Sequence, residues 1–206
     1  MEKSTLVRLI RSFSPVELRD MRKFLRSPFF NQRQDLVRLF EWLCTSQEPN
    51  KEAAWHQLFG STPYDDQKLR LHLSYLHKLL EKYLIVKEST SDDLANQVAL
   101  AVAYRKRNHL EPFERVRKSL EKALESQPLR NAYYHETRYD LLWESHQHNY
   151  TQNPTDVSQL KELSNVADIV YLSQKLRLVC LLATHQSVYQ AEMEHAWEKD
   201  LMAMAE

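Results

Sequence analysis

Residues 65–86, DDQKLRLHLSYLHKLLEKYLIV, carry the clearest helical pattern of this 206-residue chain. Asp65 is a favourable N-cap, because its carboxylate can accept a hydrogen bond from a backbone N–H of the first turn. Five large apolar side chains then recur at steps of three and four residues, namely Leu69, Leu73, Leu76, Leu80 and Tyr83. This spacing places them on one face of a helix. Leu71, Leu79 and Leu84 widen that face, so we expect neighbouring helices to pack on two sides.

The region before this helix begins with a clear start and stop signal. Ser14, Pro15 and Glu17 have the spacing of a capping box with proline at the first helical position, so a helix is predicted from Pro15. It should end at Ser27, because the residue before Pro28 avoids the α conformation.

Three more helices are predicted in this half of the chain. One covers residues 4–13, one is capped by Asn31 and ends near Cys44, and one covers Lys51–Phe59. Gly60 follows at the position of a left-handed C-terminal cap.

The second half of the chain continues the helical pattern. A helix is predicted to start at Ser91, Asp92 and Asp93 and to run to about Arg107. Further helices are predicted over 110–125 and 132–150, then from Thr155 or Asp156, and finally from an Asp168 cap to about Thr184. Residues 188–206 end inside a helical pattern without a closing signal, which leaves open whether the chain is a fragment truncated at its C-terminus.

Glycine usage restricts the possible functions. Gly60 is the only glycine, where average usage would give about 14. Phosphate-binding loops, dinucleotide fingerprints and nucleophile elbows each need two or more glycines close together. We therefore predict that the chain is not an enzyme, with no catalytic residues and no cofactor.

Charge does not by itself indicate a nucleic-acid-binding protein. Lys and Arg number 28, as do Asp and Glu, so the formal net charge is zero. Residues 1–127 hold 22 basic and 17 acidic residues, an excess of +5, whereas residues 128–206 hold 6 and 11, an excess of −5. Nucleic-acid-binding proteins usually concentrate a larger basic excess on one face.

The chain has the features of a cytoplasmic protein. The first 13 residues, MEKSTLVRLIRSF, do not form a secretory signal, and no apolar stretch is long enough to span a membrane. Cys44 and Cys180 lie in apolar helical contexts, so we expect both to be reduced core residues.

Residues 113–134, FERVRKSLEKALESQPLRNAYY, resemble the junction between two tetratricopeptide repeats. In that family the helices carry small or aliphatic packing residues and a proline follows the second helix. The corresponding residues here are Leu100, Ala103, Val116, Leu120, Ala123 and Pro128. The repeat would begin at Gln97, while Tyr104 and Arg107 stand where the family usually has a glycine and an aromatic residue. The resemblance therefore implies stacked helical hairpins and no particular binding specificity.

Two other segments are similar to parts of a family of uncharacterised bacterial proteins. They are FLRSPFFN at residues 24–31 and YDDQKLRLHLSYLHKLLEKYL at residues 64–84. The resemblance covers mainly residues 15–85 and implies no function.

These observations predict an all-α fold of about nine or ten helices. The helices should stack as antiparallel hairpins in a TPR-like α-solenoid. We expect an N-terminal helical subdomain over residues 1–90 and a TPR-like helical array over residues 91–206.

Nine histidines raise the hypothesis of a metal site. Three pairs have suggestive spacing: Glu192 with His195, His135 with Glu136, and Glu144 with His148. A di-iron site would need a second Glu-x-x-His pair, and Tyr139 stands where a zinc-protease motif needs its second ligand. We predict no metal site.

The leading hypothesis is a non-catalytic scaffold that binds a protein or peptide in a groove near residues 98–150. The aromatic helix there has a predicted buried stripe of Tyr139, Leu142, His146 and Tyr150. Tyr134 and Trp143 lie off the centre of this stripe, so we expect one or both of them to line the groove. Arg107 belongs to a neighbouring basic cluster that acidic residues interrupt. Homo-oligomerisation is left open.

The alternative hypothesis is a DNA-binding transcriptional regulator with an N-terminal helix-turn-helix or winged-helix-like module. Gln67, Lys68, Arg70 and Ser74 would then face the nucleic acid. The nearby Asp65 would lie close to the phosphates, and no glycine-containing wing follows Val86, although residues 83–88, YLIVKE, are compatible with a short strand.

Overall fold

A computed structural model describes residues 4–189, and every regular element in that range is an α-helix. The all-α prediction is therefore confirmed for this part of the chain. The helices belong to two compact units, with the boundary between Ser91 and Asp92.

The N-terminal unit contains five of these helices, with short connections between them. They are α1 Thr5–Ser12, α2 Pro15–Arg26, α3 Gln34–Thr45, α4 Lys51–Phe59 and α5 Asp66–Ser89. The C-terminal unit contains α6 Asp93–Lys106, α7 Leu110–Glu125, α8 Ala132–Gln152 and α9 Leu160–Tyr189. The prediction of stacked TPR-like hairpins is not decided by this arrangement and stays a prediction.

Helix α5 is the centre of the N-terminal unit, because it packs against all four helices that precede it. Most of its predicted apolar face is buried. Leu69, Leu76, Leu80 and Tyr83 belong to the core, and Leu73 packs against it. The predicted widening of this face is wrong at Leu71, whose side chain is 49% exposed.

Two polar contacts stabilise the start of α2, one within its first turn and one to α5. Ser14 and Glu17 form the predicted capping box, in which the Ser14 backbone N–H donates to Glu17 Oε2 at 2.8 Å. Glu17 Oε1 also lies 2.6 Å from Lys87 Nζ near the end of α5. These donors, with Lys87 the largest cause, lower the pKa of the Glu17 carboxyl to about 2.

The sequence predicts that Asn31 caps α3, and this is wrong. The Asn31 side chain is instead buried within the α2–α3 connection. Its Nδ2 donates to the carbonyl oxygens of Leu25 and Arg33, each at 2.9 Å, and its Oδ1 accepts from the Arg33 backbone N–H at 3.0 Å. Arg33 therefore takes the N-cap position. A single side chain satisfies three backbone groups of the turn, which holds the turn in one conformation.

Gly60 ends α4 at positive φ, as expected, but not in the left-handed helical region. Its φ is 64° and its ψ is −131°. Only glycine adopts this combination without strain, and no heavy atom lies within 4 Å of the position that a Cβ would take.

The C-terminal unit is built on contacts between α6, α7 and α8, and α9 packs on α8. Helices α6 and α7 pack against each other and are joined by a three-residue connection, residues 107–109. The core cluster of this unit contains Leu120, Leu124, Tyr134 and Leu141.

The predicted division of the last helical stretch is wrong. Asp168 does not cap a new helix, because α9 runs without interruption from Leu160 to Tyr189. Neither glycine nor proline occurs between Thr155 and Tyr189, so nothing in the backbone breaks the helix. Cys180 is exposed on α9 and is not a core residue, whereas Cys44 is partly buried in the N-terminal unit.

We expect Glu17→Gln to remove a pH-dependent part of the stability of the N-terminal unit. The pKa of this carboxyl is 4.5 in the reference state and about 2 in the fold. Ionised Glu17 therefore stabilises the fold above about pH 4.5, and this stabilisation is lost as the pH falls towards 2. Urea titrations should give a lower free energy of unfolding for the variant at pH 7.

The difference between wild type and Glu17→Gln should shrink as the pH is lowered. Glu88→Gln is a matched control, because Glu88 lies next to Lys87 on α5 and has no side-chain ion pair among the described residues. A difference that stays constant from pH 7 downwards would contradict the assignment of the Glu17–Lys87 contact.

Candidate functional site

A groove of about 590 Å³ lies between the α2–α3 connection and one face of α5. We call it the basic aromatic groove and define it by Phe29, Phe30, Arg33, Tyr75, Lys78 and Lys82. Leu36 and Leu79 supply an apolar wall. No Asp or Glu side chain lines it.

The α2–α3 connection holds two adjacent phenylalanines in different environments. The Phe30 ring stacks on Phe24 of the core, with ring centroids 4.1 Å apart and an angle of 19° between the planes. Phe29 points outward with 85% of its surface exposed, and it touches Phe30 edge-on at a centroid distance of 4.9 Å. The backbone N–H groups of Phe30 and Asn31 both bond to the Ser27 carbonyl oxygen, at 3.1 and 3.0 Å. Phe29 is thus an exposed aromatic side chain on a well-bonded turn.

Cationic groups lie over two of the three aromatic rings of this groove, those of Tyr75 and Phe30. The Arg33 guanidinium lies 5.0 Å from the centre of the Tyr75 ring, and Lys82 Nζ lies 5.3 Å from the centre of the Phe30 ring. Both distances are within the range of cation–π attraction. Lys78 lies one helical turn before Lys82 and is also exposed.

Asp35 holds Arg33 in place beneath the groove. Arg33 Nη2 lies 2.6 Å from Asp35 Oδ2, and His72 Nε2 lies 3.1 Å from the same oxygen. Hydrogen bonding to Arg33 is the main cause that lowers the pKa of Asp35. Arg33 is therefore locally neutralised, whereas neither Lys78 nor Lys82 has a carboxylate partner within the described part of the chain.

None of these groove residues is among the binding residues predicted from the sequence. Phe29 and Phe30 are one signal in the sequence, because connections between helices run over the surface, where two adjacent aromatic residues are out of place unless they have a packing or binding role. Tyr75 gave a second signal, since it lies off the buried stripe that Leu69 and Leu76 define.

The predicted partner-binding residues of the C-terminal unit lie in unlike environments. Tyr134 is only 6% exposed and belongs to the core, although its edge also borders a cavity of about 310 Å³ beside α7, α8 and α9. Trp143 is 42% exposed on α8. Arg107 is exposed at the end of α6, where its Nη1 donates to the Ala103 carbonyl oxygen at 2.9 Å. The described contacts do not bring these three side chains together.

The buried face of α8 differs from the predicted aromatic stripe. Tyr150 is exposed, and Tyr139, Leu142 and His146 are only partly buried. The buried side chains are instead Tyr134, Thr137, Leu141, Glu144, Ser145 and His148. The hydroxyls of Thr137 and Ser145 donate to backbone carbonyl oxygens one turn earlier, at 2.9 and 2.8 Å, so these polar side chains are satisfied in the core.

Glu144 and His148, one of the pairs considered for metal binding, make structural contacts. Arg105 Nε of α6 donates to Glu144 Oε2 at 2.6 Å, and the His148 ring stacks on Phe113 of α7 at a centroid distance of 4.4 Å. Both residues therefore join α8 to neighbouring helices.

No group of three or more His, Cys, Asp or Glu residues is arranged to hold a metal ion in the part of the chain that the structure describes. His135 and Glu136 lie in α8, where Glu136 Oε1 accepts a hydrogen bond from Gln174 Nε2 at 2.8 Å. The third pair, Glu192 with His195, lies outside the described residues.

The four residues of the DNA-binding alternative are exposed on the first turns of α5. Arg70 Nε lies 2.6 Å from Asp66 Oδ2, and Lys68 Nζ lies 4.4 Å from the centre of the Phe59 ring. Arg70 thus has an ion-pair partner within the protein, and Lys68 has a cation–π contact. Gln67 and Ser74 are neutral and add no positive charge to this surface. The segment YLIVKE is helical, so the short strand considered for it is not formed.

No family model, curated protein or solved structure matches the chain. Of the helices described, none has the length and hydropathy that a bilayer-spanning helix requires.

We expect Glu144→Ala to destabilise the C-terminal unit by roughly 2 kcal/mol, because Arg105 would be left partly buried without its partner. The value is below that for a fully buried pair, since the Arg105 side chain is 23% exposed. Urea titration of the full chain measures the change.

The double variant Arg105→Leu with Glu144→Leu is the matched control. It removes both charges and leaves neither group unpaired, so it should recover most of the lost stability. An unfolding free energy of Glu144→Ala equal to that of wild type would contradict the structural role of this ion pair.

Proposed function

We propose that the chain is a non-catalytic protein-binding module that contacts its partner through the basic aromatic groove. The observation that carries the proposal is the position of Phe29, an aromatic side chain that is 85% exposed at the edge of a groove. Large aromatic side chains that insert into partner surfaces dominate the energy of many protein interfaces.

The turn that carries Phe29 supports this role. The buried Asn31 side chain bonds to three backbone groups of the turn. The position of Phe29 is therefore already ordered before a partner binds, which reduces the entropy lost on binding. Phe30 makes the core contact with Phe24, so Phe29 is not needed for that packing.

The C-terminal unit supplies a second, weaker candidate for the same function. Trp143 is exposed on α8, and Arg107 is exposed at the end of α6. Trp143 lines neither the groove beside Phe29 nor the cavity of about 310 Å³ beside α7, α8 and α9. We therefore assign the main contact to the N-terminal unit and a contributing contact to Trp143.

DNA binding is less well supported by the contacts of α5. Of the four residues that would face the duplex, the two cations Lys68 and Arg70 lie against Phe59 and Asp66. Arg70 is already paired with a carboxylate, so it releases fewer counterions on binding phosphate and contributes less to affinity.

We expect Phe29→Ala to weaken partner binding about 30-fold, the effect of removing a hot spot worth about 2 kcal/mol, while the melting temperature stays near that of wild type. The partner is identified by placing the photo-crosslinking residue p-benzoylphenylalanine at position 29 of the full chain in its native cell. Affinity of the purified partner is then measured for wild type and variant.

Val16 provides the matched control, because it is an exposed apolar side chain of the same unit that does not line the groove. Crosslinker at position 16 should not capture the protein captured from position 29, and Val16→Ala should bind it like wild type. Equal affinities for wild type and Phe29→Ala, or crosslinks to nucleic acid alone, would refute the proposal.

A further inference from the structure

We infer that the occupant of the basic aromatic groove is an acidic segment of a partner protein, with carboxylate side chains beside an apolar one. This inference rests on the proposed function and specifies the chemistry of the partner. It is carried by two lysines that have no carboxylate partner in the described part of the chain, in a groove that also has an apolar wall.

The charge in the groove is not balanced by the residues around it. Lys78 and Lys82 both line the groove. Two carboxylates of the packed elements make other contacts: Asp35 lies 2.6 Å from Arg33, and Glu81 lies 3.7 Å from His77. The groove therefore presents two lysine ammonium groups to an incoming ligand, and complementary carboxylates would steer and orient it.

The spacing of the two lysines suits a polypeptide ligand. They are four residues apart on α5, so their Cα atoms are about 6 Å apart along the helix axis. Side chains two residues apart on an extended peptide are separated by about 6.6 Å. Two acidic residues on the same side of an extended segment can thus meet Lys78 and Lys82 together.

The apolar part of the ligand has a separate place to bind. Leu36 and Leu79 line the wall of the groove, and Phe29 stands at its edge. An aliphatic or aromatic residue of the partner that lies between them would be removed from water together with the Phe29 ring.

A single-stranded nucleic acid fits the same groove less well. In proteins that bind single-stranded nucleic acid, successive bases stack on exposed faces of aromatic side chains. Phe30 has Phe24 stacked on it and Lys82 over its ring, and Arg33 lies over Tyr75. Among the described residues, Phe29 is the one aromatic ring of the groove that has neither a stacked nor a cationic neighbour. A single exposed ring cannot stack several successive bases.

The test uses the full chain and a display library of random 12-residue peptides. Peptides that bind should be enriched in Asp and Glu together with an aliphatic or aromatic residue. Fluorescence anisotropy of the enriched peptide should show binding at least tenfold weaker for Lys78→Gln with Lys82→Gln, and also for the peptide with its acidic residues replaced by Asn or Gln. Binding should also weaken as NaCl is raised from 50 to 300 mM.

Lys23→Gln with Arg38→Gln is the matched control, because it removes the same charge from exposed positions of the same unit outside the groove. It should bind the peptide within twofold of wild type. Lys78→Gln alone gives a second reading if the double variant has a lowered melting temperature. A 12-residue oligothymidylate and a duplex DNA of the same length are measured in parallel.

Several results would overturn the inference. These are enrichment without an acidic excess, no enriched peptide, equal binding by the groove and control variants, tighter binding of either DNA, or a groove-dependent dimer of the chain itself.

Failure of the inference is distinguishable from failure of the proposed function. In the first case, crosslinking from position 29 still captures a protein, but its binding is insensitive to Lys78 and Lys82. In the second case, no protein is captured from that position.

Discussion

Burial of one face of α5 is the constraint on which the N-terminal unit depends. Leu69, Leu76, Leu80 and Tyr83 leave water against four other helices, and each buried side chain of this size contributes about 2 kcal/mol. Because these positions share one face, the opposite face of α5 is exposed. That exposed surface is where Tyr75, Lys78 and Lys82 lie, so the same packing that forms the core also positions one side of the groove.

The other side of the groove depends on a buried polar side chain. Asn31 satisfies backbone groups on both sides of the α2–α3 turn, which sets the direction in which Phe29 and Phe30 leave the backbone. One ring enters the core and the other enters solvent. An aromatic ring that an ordered turn holds in water contributes little to the free energy of folding. Binding to a partner would supply the missing burial, which is the physical basis of the proposed function.

The positions of helices could be predicted from the sequence where local chemistry determines them. The burial of individual side chains could not be predicted where it depends on helices that are distant in the sequence. The capping box at Ser14 and the periodicity of α5 are local signals, and both predictions are confirmed. The buried face of α8 was predicted wrongly because its aromatic residues suggested the core. Glu144 is buried there only because Arg105, far away in the sequence, neutralises it. The groove was missed for the same reason, since it joins residues 28–36 to residues 75–82.

Chemical-shift mapping tests the central claim most directly, because it reports which backbone sites a ligand perturbs without any substitution. The measurement is a titration of the ¹⁵N-labelled full chain with the acidic peptide selected for binding. Our account predicts the largest shifts at residues 28–36 and 75–82, with small changes in α8. Perturbations concentrated around Trp143, or at Lys68 and Arg70 with the groove unchanged, would contradict the assignment of the binding surface.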